Sequence, residues 1–142
     1  MKKTISILLI IFICLILGFV YILIQYKADI RNLQSFNQEY EYYYDKTIEG
    51  TQIATVINKA INNNEVNNIA KDNKGRYIEN ESNSIKVEIY IKDNDTTYSM
   101  ETIYNNGAEQ FVSSFSLEDF KCTKIEYHES TKKVKYLLFE QI

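Results

Sequence analysis

The feature that most restricts this chain is an apolar run over Ile5–Ile24. Of its twenty residues only Ser6 and Gly18 are not apolar, and none is charged. A helix rises about 1.5 Å per residue, so twenty residues cover about 30 Å, which is the thickness of the hydrocarbon core of a bilayer. The sequence therefore predicts one transmembrane helix over residues 5–26, preceded by a basic tail at residues 1–4.

Three features favour an anchor that is not cleaved. The run is longer than the core of a secretory signal, which spans about 7–15 residues. No pair of small residues follows the run at the spacing that a signal peptidase needs, because the chain continues as 24-IQYKA-28. Phe12 and Ile13 precede Cys14, where a lipoprotein processing site needs small residues. We therefore expect a signal anchor rather than a removable signal.

The charges at the two ends of the span indicate its orientation. Lys2, Lys3 and the terminal amine precede it, while Lys27 and Arg31 follow it. Cytoplasmic flanks carry an excess of positive groups, so the difference of three against two favours a cytoplasmic N-terminus. We expect a single-pass protein of the cell membrane with its C-terminal domain outside.

The remainder of the chain, residues 27–142, is acidic. Removing Lys2 and Lys3 leaves 14 basic residues against 19 acidic ones, a net charge of −5. Proteins that bind nucleic acid concentrate Lys and Arg on one face, so this composition excludes nucleic acid from the expected partners. The expected partners are the lipid bilayer and either other proteins or further copies of this chain.

Helical periodicity continues beyond the span. Ile30, Leu33, Phe36 and Tyr40 recur every three to four residues, and neither Gly nor Pro interrupts the chain before Gly50. This pattern predicts that the helix continues over residues 27–44.

Gly50 then breaks the chain, and Thr51 is the expected N-cap of a second helix over residues 51–63. Its apolar residues fall at i, i+3, i+4, i+7 and i+8, which is the pattern of an amphipathic helix. The run Asn62–Asn64 is expected to form its polar end.

Alternation with a period of two follows, and it predicts a small antiparallel sheet over residues 85–140. Ile85, Val87, Ile89 and Ile91 alternate with polar residues, and a second strand is expected over 96–104. A short helix is predicted over 108–115, followed by two strands that a polar turn connects. The fold class is therefore α+β: a long N-terminal transmembrane helix that extends into a small domain with an antiparallel sheet and one or two short helices.

The residue types that carry chemistry are sparse. Cys14 lies in the apolar run and Cys122 in the C-terminal part, so the two cannot form a disulfide within one chain. Cys122 and His128 share a face of one predicted strand, but about 20 Å separates them, far more than a nucleophile and its base allow. One histidine beside Glu126 and Glu129 falls short of a zinc site. We expect a surface histidine, a buried or half-buried cysteine, and no catalytic, metal or cofactor site.

Tyrosines cluster at the end of the first helix. Tyr40, Tyr42 and Tyr43 could form a surface that binds a sugar, a peptide or a protein partner. In the alternative interpretation, some of these rings cover the sheet and others are ordinary amphipathic surface.

A basic start, an apolar helix, an amphipathic extension and a C-terminal antiparallel sheet together resemble the type IV pilin-like proteins. Those proteins show a Gly-Phe cleavage junction before the apolar segment and a Glu at the fifth position after that junction. Here Gly18-Phe19 lies inside the apolar segment, and the fifth residue counted from Phe19 is Leu23. The resemblance therefore implies a pilin-like fold without a processing site or an assembly Glu. The stretch 50–61 is also similar to a segment of small membrane-anchored proteins of low-GC bacteria.

The leading hypothesis is a non-enzymatic, membrane-anchored extracytoplasmic protein that acts as a pilin-like or accessory structural subunit. One alternative is a membrane-tethered binding or sensing module that uses the tyrosine cluster or the face of the sheet. The other alternative is an enzyme whose site the sequence does not reveal.

Overall fold

A computed structural model describes residues 2–142, with side chains from Thr4 onward. The chain divides into two compact units, Met1–Ser35 and Phe36–Ile142. Of the expected basic tail, Met1 and the side chains of Lys2 and Lys3 lie outside the described part. The fold is α+β, as predicted. The elements in chain order are α1 (Lys2–Glu41), β1 (Thr47–Glu49), α2 (Gly50–Val66), β2 (Lys86–Ile91), a short 3₁₀ turn (Lys92–Asn94), β3 (Thr96–Ser99), α3 (Met100–Asn105), α4 (Ala108–Phe115), β4 (Asp119–Tyr127) and β5 (Val134–Gln141).

The first helix, α1, contains 40 residues. Within the described residues it is the one helix that is long and apolar enough to cross a membrane. It ends at Glu41 rather than at the expected Tyr44. Asp45 takes a left-handed conformation (φ 58°), and Tyr44 forms a parallel bridge with Cys122. Pairing with β4 therefore ends the helix, a long-range contact that local periodicity does not reveal.

The second helix, α2, covers Gly50–Val66 where residues 51–63 were expected. Its N-cap is Glu49 and not Thr51. The backbone N–H of Glu49 donates to Gln52 Oε1, and the Glu49 side chain accepts from the backbone of Gln52, which together form a capping box. A side-chain Cβ at Gly50 would lie 2.0 Å from the carbonyl oxygen of Phe115. The glycine is therefore required by close packing of α2 against the end of α4.

The prediction of an antiparallel sheet is wrong in one pairing. In the part of the chain that the structure describes, the sheet has five strands in the order β1-β4-β5-β2-β3. Strands β2 and β5 pair in parallel, from Lys86↔Tyr136 to Tyr90↔Glu140, and the other pairs are antiparallel. The sheet is therefore mixed. Alternating side chains identify a strand but do not specify the direction of its neighbour.

The strand expected over 96–104 is also corrected. It ends at Ser99, whose side chain caps α3 by accepting a hydrogen bond from the backbone N–H of Thr102. Met100 and Ile103 are buried on one face of α3. Their spacing of three residues fits a helix, whereas in a strand they would point to opposite faces.

The core of the C-terminal unit lies between α2 and one face of the sheet. Tyr40 and Tyr43, just before and just after the end of α1, also belong to it. The apolar residues with no exposed surface are Ile53, Val56, Ile57 and Ala60 of α2, together with Val87, Ile89, Met100, Phe120, Cys122, Val134, Leu137 and Phe139. The opposite face of the sheet carries half-buried and exposed polar side chains.

Candidate functional site

The structure does not bring the three candidate tyrosines together on one surface. Tyr40 is 2% exposed and Tyr43 is 8% exposed, whereas Tyr42 is 56% exposed. The Tyr40 ring packs against Phe36, with the two centroids 5.4 Å apart, and the Tyr43 ring meets Phe139 edge-on at 6.3 Å. These two rings are core residues, as the alternative interpretation of the cluster has it.

Tyr42 remains at the surface, and a cation already covers its ring. The Lys46 Nζ lies 3.6 Å from the ring centroid. This distance is within the range of a cation–π interaction, so Lys46 covers one face of the ring.

Cys122 and His128 each have a separate partner. Cys122 is fully buried, and its Sγ donates to the carbonyl oxygen of Lys124 at 3.7 Å. Burial raises the pKa of the Cys122 thiol to about 11. A thiol with so high a pKa is a poor nucleophile at neutral pH, because the thiolate is the reactive form.

The expectation of a surface histidine is wrong. His128 is 2% exposed, and its Nε2 lies 2.7 Å from the carbonyl oxygen of Ser84. A carbonyl can only accept, so Nε2 carries the proton and donates it. His128 is thereby a structural residue that holds the connection between α2 and β2.

That connection contains the most organised polar feature of the molecule, which we call the carbonyl strap, residues 80–85. Each of its six consecutive carbonyl oxygens accepts a hydrogen bond from a side chain. The donors, in order from the carbonyl of Asn80 to that of Ile85, are Ser84 (3.4 Å), Ser130, Thr131 (2.6 Å), Asn63 (2.8 Å), His128 (2.7 Å) and Asn64 (2.8 Å).

The N–H groups of the strap are satisfied in the same way. Asn80 Oδ1 accepts from the backbone of Ser82, Asn83 and Ser84 at 2.9–3.1 Å, and Asn64 Oδ1 accepts from Ile85 at 2.8 Å. The strap lies outside any strand or helix, and its backbone would be costly to bury without partners. Side chains of α2 and of the β4–β5 turn supply those partners, together with Asn80 and Ser84 of the strap itself.

This role of the asparagine run was not predicted from the sequence. Asn64 is fully buried and bonds through both amide atoms to Ile85, whereas Asn62 is exposed. One signal was present: Asn64 continues the i+3, i+4 stripe of Ile57, Ala60 and Ile61. An asparagine on that stripe must find polar partners inside the protein.

A surface cavity of about 560 Å³ adjoins the strap. Its volume is in the range of small-molecule sites. Lys135 lies within 3.6 Å of both Glu79 and Glu126, so its positive charge is already paired. The residues that line this cavity are Glu79, Asn80, Glu81, His128, Glu129, Ser130 and Lys135. Among the described residues, no group of three or more His, Cys, Asp or Glu side chains could hold a metal ion.

A smaller cavity, of about 250 Å³, lies among β3, α3 and α4. Phe111 and Phe115 form its apolar side, and Asn106 and Gln110 contribute amides. Both rings also pack on Phe120, at 6.1 and 6.4 Å between centroids. This cavity therefore adjoins the core.

The outer face of the sheet is a network of ion pairs around Tyr136. Its hydroxyl donates to Glu88 at 2.8 Å, and Glu88 in turn pairs with Lys86 at 2.7 Å. The Nζ atoms of Lys86 and Lys124 lie 5.8 and 5.5 Å from the Tyr136 ring centroid. These contacts stabilise a solvated face, and each lysine already has a carboxylate partner.

Comparison with known proteins adds no relative to this description. No protein-family model, no curated protein sequence and no solved structure matches the chain.

Proposed function

We propose that this chain is a non-enzymatic, single-pass membrane protein whose C-terminal domain lies outside the cytoplasm and acts as a pilin-like or accessory structural subunit. The observation that carries the proposal is the course of α1. It is one helix from Lys2 to Glu41, its apolar residues are exposed over 5–24, and Phe36 and Tyr40 near its end pack in the core of the C-terminal unit. An exposed apolar segment of this length suits a subunit that is held at a membrane.

The end of α1 is also fixed by hydrogen bonds. Asn37 Nδ2 donates to the carbonyl oxygen of Lys132 at 2.8 Å, and Asn37 Oδ1 accepts from the backbone of Val134 at 3.0 Å. The Tyr127 hydroxyl donates to Glu41 at 2.8 Å. All three partners lie on β4, β5 or the turn that joins them. These contacts fix the last residues of α1 within the C-terminal unit.

The use of the buried polar groups supports the non-enzymatic part of the proposal. Asn64, His128 and Gln141 are the kinds of side chain that carry chemistry in enzymes. Here each bonds to the backbone of its own chain, and Gln141 Oε1 accepts from Lys92 at 2.9 Å. These hydrogen bonds hold the connections between helices and strands in place.

Crosslinking in the membrane tests the structural role. Membranes that hold the full chain are treated with an amine-reactive crosslinker, and we expect dimers and larger multimers on a denaturing gel. Protein diluted in detergent before crosslinking is the control, and it should remain monomeric. A chain that stays strictly monomeric in the membrane would contradict a role as an assembled subunit.

The two cysteines give a sharper version of this experiment. Cys14 is exposed on α1, whereas Cys122 is buried with a raised pKa. Mild oxidation in membranes should link copies through Cys14 if their spans lie side by side. Cys14→Ser should abolish such dimers and Cys122→Ser should keep them.

Protease added to intact cells tests the orientation. We expect digestion of the C-terminal domain, since the proposal places it outside. Protection of that domain in intact cells, with digestion after lysis, would reverse the orientation.

The alternative of a ligand-binding module is less well supported. Tyr40 and Tyr43 are in the core, and Lys46 covers the ring of Tyr42. On the face of the sheet, Lys86, Lys124 and Lys135 already pair with carboxylates.

A further inference from the structure

We propose that the helix face that carries Lys27 and Arg31 binds the phosphate headgroup of an anionic phospholipid, with the acyl chains lying along the apolar residues below. The site rests on the proposed membrane anchor. It concerns α1 within the first unit only, and it names a specific lipid class as the partner of the segment just beyond the span.

The two cations lie on one face of α1. Residues four apart are separated by about 40° around a helix, so Lys27 and Arg31 are neighbours on consecutive turns. Arg31 Nε donates to the carbonyl oxygen of Lys27 at 3.4 Å, which brings the guanidinium back toward Lys27. A groove lined by apolar atoms of Lys27, Ile30 and Arg31 lies beside the charged groups, where it offers contact to a lipid chain rather than to the phosphate.

No acidic side chain neutralises this pair. Asp29 lies about 200° around the helix from each cation and therefore faces the other side. In the part of the chain that the structure describes, the ion pairs involve neither Lys27 nor Arg31. Two like charges at this spacing destabilise a helix slightly, and an anion between them removes that cost.

The height of the pair fits a lipid phosphate. Lys27 and Arg31 follow Ile24 by three and seven residues, so their backbones lie about 4.5 and 10.5 Å beyond the apolar run. Side chains on a helix lean toward its N-terminus, which here is the direction of the span. Both cations therefore reach down into the headgroup layer, which is about 5–8 Å thick on each side of a bilayer.

The apolar residues below complete the surface. Val20, Leu23 and Ile24 lie three to seven residues before Lys27 on the same side of the helix, and they are 44%, 43% and 58% exposed. A lipid whose phosphate lies at Lys27 and Arg31 would place its acyl chains against these three side chains. The two cations and the apolar residues below them together favour a lipid with a net negative headgroup.

The test uses the full chain in vesicles of phosphatidylcholine that contain spin-labelled phosphatidylglycerol or, separately, spin-labelled phosphatidylcholine. Electron spin resonance measures how much of each labelled lipid is held at the protein. We expect a preference for phosphatidylglycerol of about fivefold, which corresponds to about 1 kcal/mol. The double variant Lys27→Gln with Arg31→Gln should lose it. Equal association of the two lipids with the unmodified chain would overturn the proposal.

A matched variant distinguishes binding at this helix face from non-specific electrostatic attraction of anionic lipid. Ala28→Lys and Asn32→Arg are added to the double variant, which restores both charges at the same depth but about 100° around the helix, beside Asp29. We expect no preference, because Asp29 pairs with the arginine three residues away. A restored preference would show that any two cations at this depth suffice, and it would overturn the face-specific site.

Resistance to alkaline carbonate extraction distinguishes the two proposals. A chain that resists extraction but shows no lipid preference would remove the lipid site and leave the anchor in place. A chain released by carbonate would contradict the anchor, and the lipid site with it.

Discussion

Two runs of a single residue type, Asn62–Asn64 and Tyr42–Tyr44, show the same pattern of burial. In each run one member is buried and its neighbours are not. Asn64 is fully buried, and Tyr43 is 8% exposed between two tyrosines that are 56% and 50% exposed. The residues of a run of one type therefore do not all belong to one surface. The local backbone buries one member of each run, although the partly buried Asn63 also donates to the carbonyl oxygen of Asn83.

The tyrosine run gives the largest expected effect. Tyr43→Ala removes a buried ring that meets Phe139, and we expect it to lower the free energy of unfolding by about 3–5 kcal/mol. Tyr42→Ala is the matched control and should change it by less than about 1 kcal/mol. Urea unfolding of the full chain in detergent micelles, followed by near-ultraviolet circular dichroism, measures both. Equal losses of unfolding free energy in the two variants would contradict the different burial of Tyr43 and Tyr42.

The asparagine run comes next. Asn64→Ala leaves the buried N–H and C=O of Ile85 without partners, and we expect a loss of about 2–4 kcal/mol. Asn62→Ala should have an effect within about 0.5 kcal/mol because Asn62 is exposed. The same unfolding experiment applies. If Asn64→Ala proved as mild as Asn62→Ala, water would be satisfying Ile85 and the strap would not depend on α2.

The cysteines extend the comparison to a pair far apart in the chain. Burial raises the pKa of Cys122 from about 9 to about 11, so its neutral form is favoured in the folded state. This contribution to stability is fully present below pH 9 and is lost as the pH rises from about 9 to about 11. We expect Cys122→Ala to remove about 2 kcal/mol of the fall in unfolding free energy over that window.

Cys14→Ser is the control for that titration, because Cys14 is exposed on α1. Its pH profile should match that of the unmodified chain. An identical profile for Cys122→Ala would mean that the buried thiol does not contribute to the alkaline loss of stability.

The smallest effect concerns the exposed member of the tyrosine run. Lys46→Gln removes the cation over the Tyr42 ring, and we expect a loss of about 0.5–1 kcal/mol. Lys46→Arg should retain most of the interaction. A thermal unfolding series resolves the ranking of the three proteins, and a loss in Lys46→Gln as large as that in Tyr43→Ala would contradict the surface position of this pair.

The sequence predicted the elements whose side chains repeat over a long stretch. The apolar run identified α1, the i, i+3, i+4 stripe identified α2, and alternation identified β2 and much of β5. It missed β1, because three residues are too few for a period. It extended the strand of Tyr98 into α3, because the cap that starts this helix depends on one side chain, that of Ser99.

The pairings and the buried polar groups could not be predicted in the same way. The parallel contact of β2 with β5 joins residues about fifty positions apart, and nothing local specifies it. His128 was expected at the surface because its neighbours in sequence are polar. Its burial depends on the carbonyl of Ser84, which only the folded connection brings within reach.

The carbonyl strap also determines where this protein can be modified without harm. One extra residue within 80–85 would shift the row of carbonyls past its donors, so an inserted epitope there would detach the connection from both α2 and the β4–β5 turn. The turn at Asn73 and Lys74 is different, since its hydrogen bonds are local to Asp72 and Arg76. A tag placed between Asn73 and Lys74 would report on the domain while leaving the strap in register.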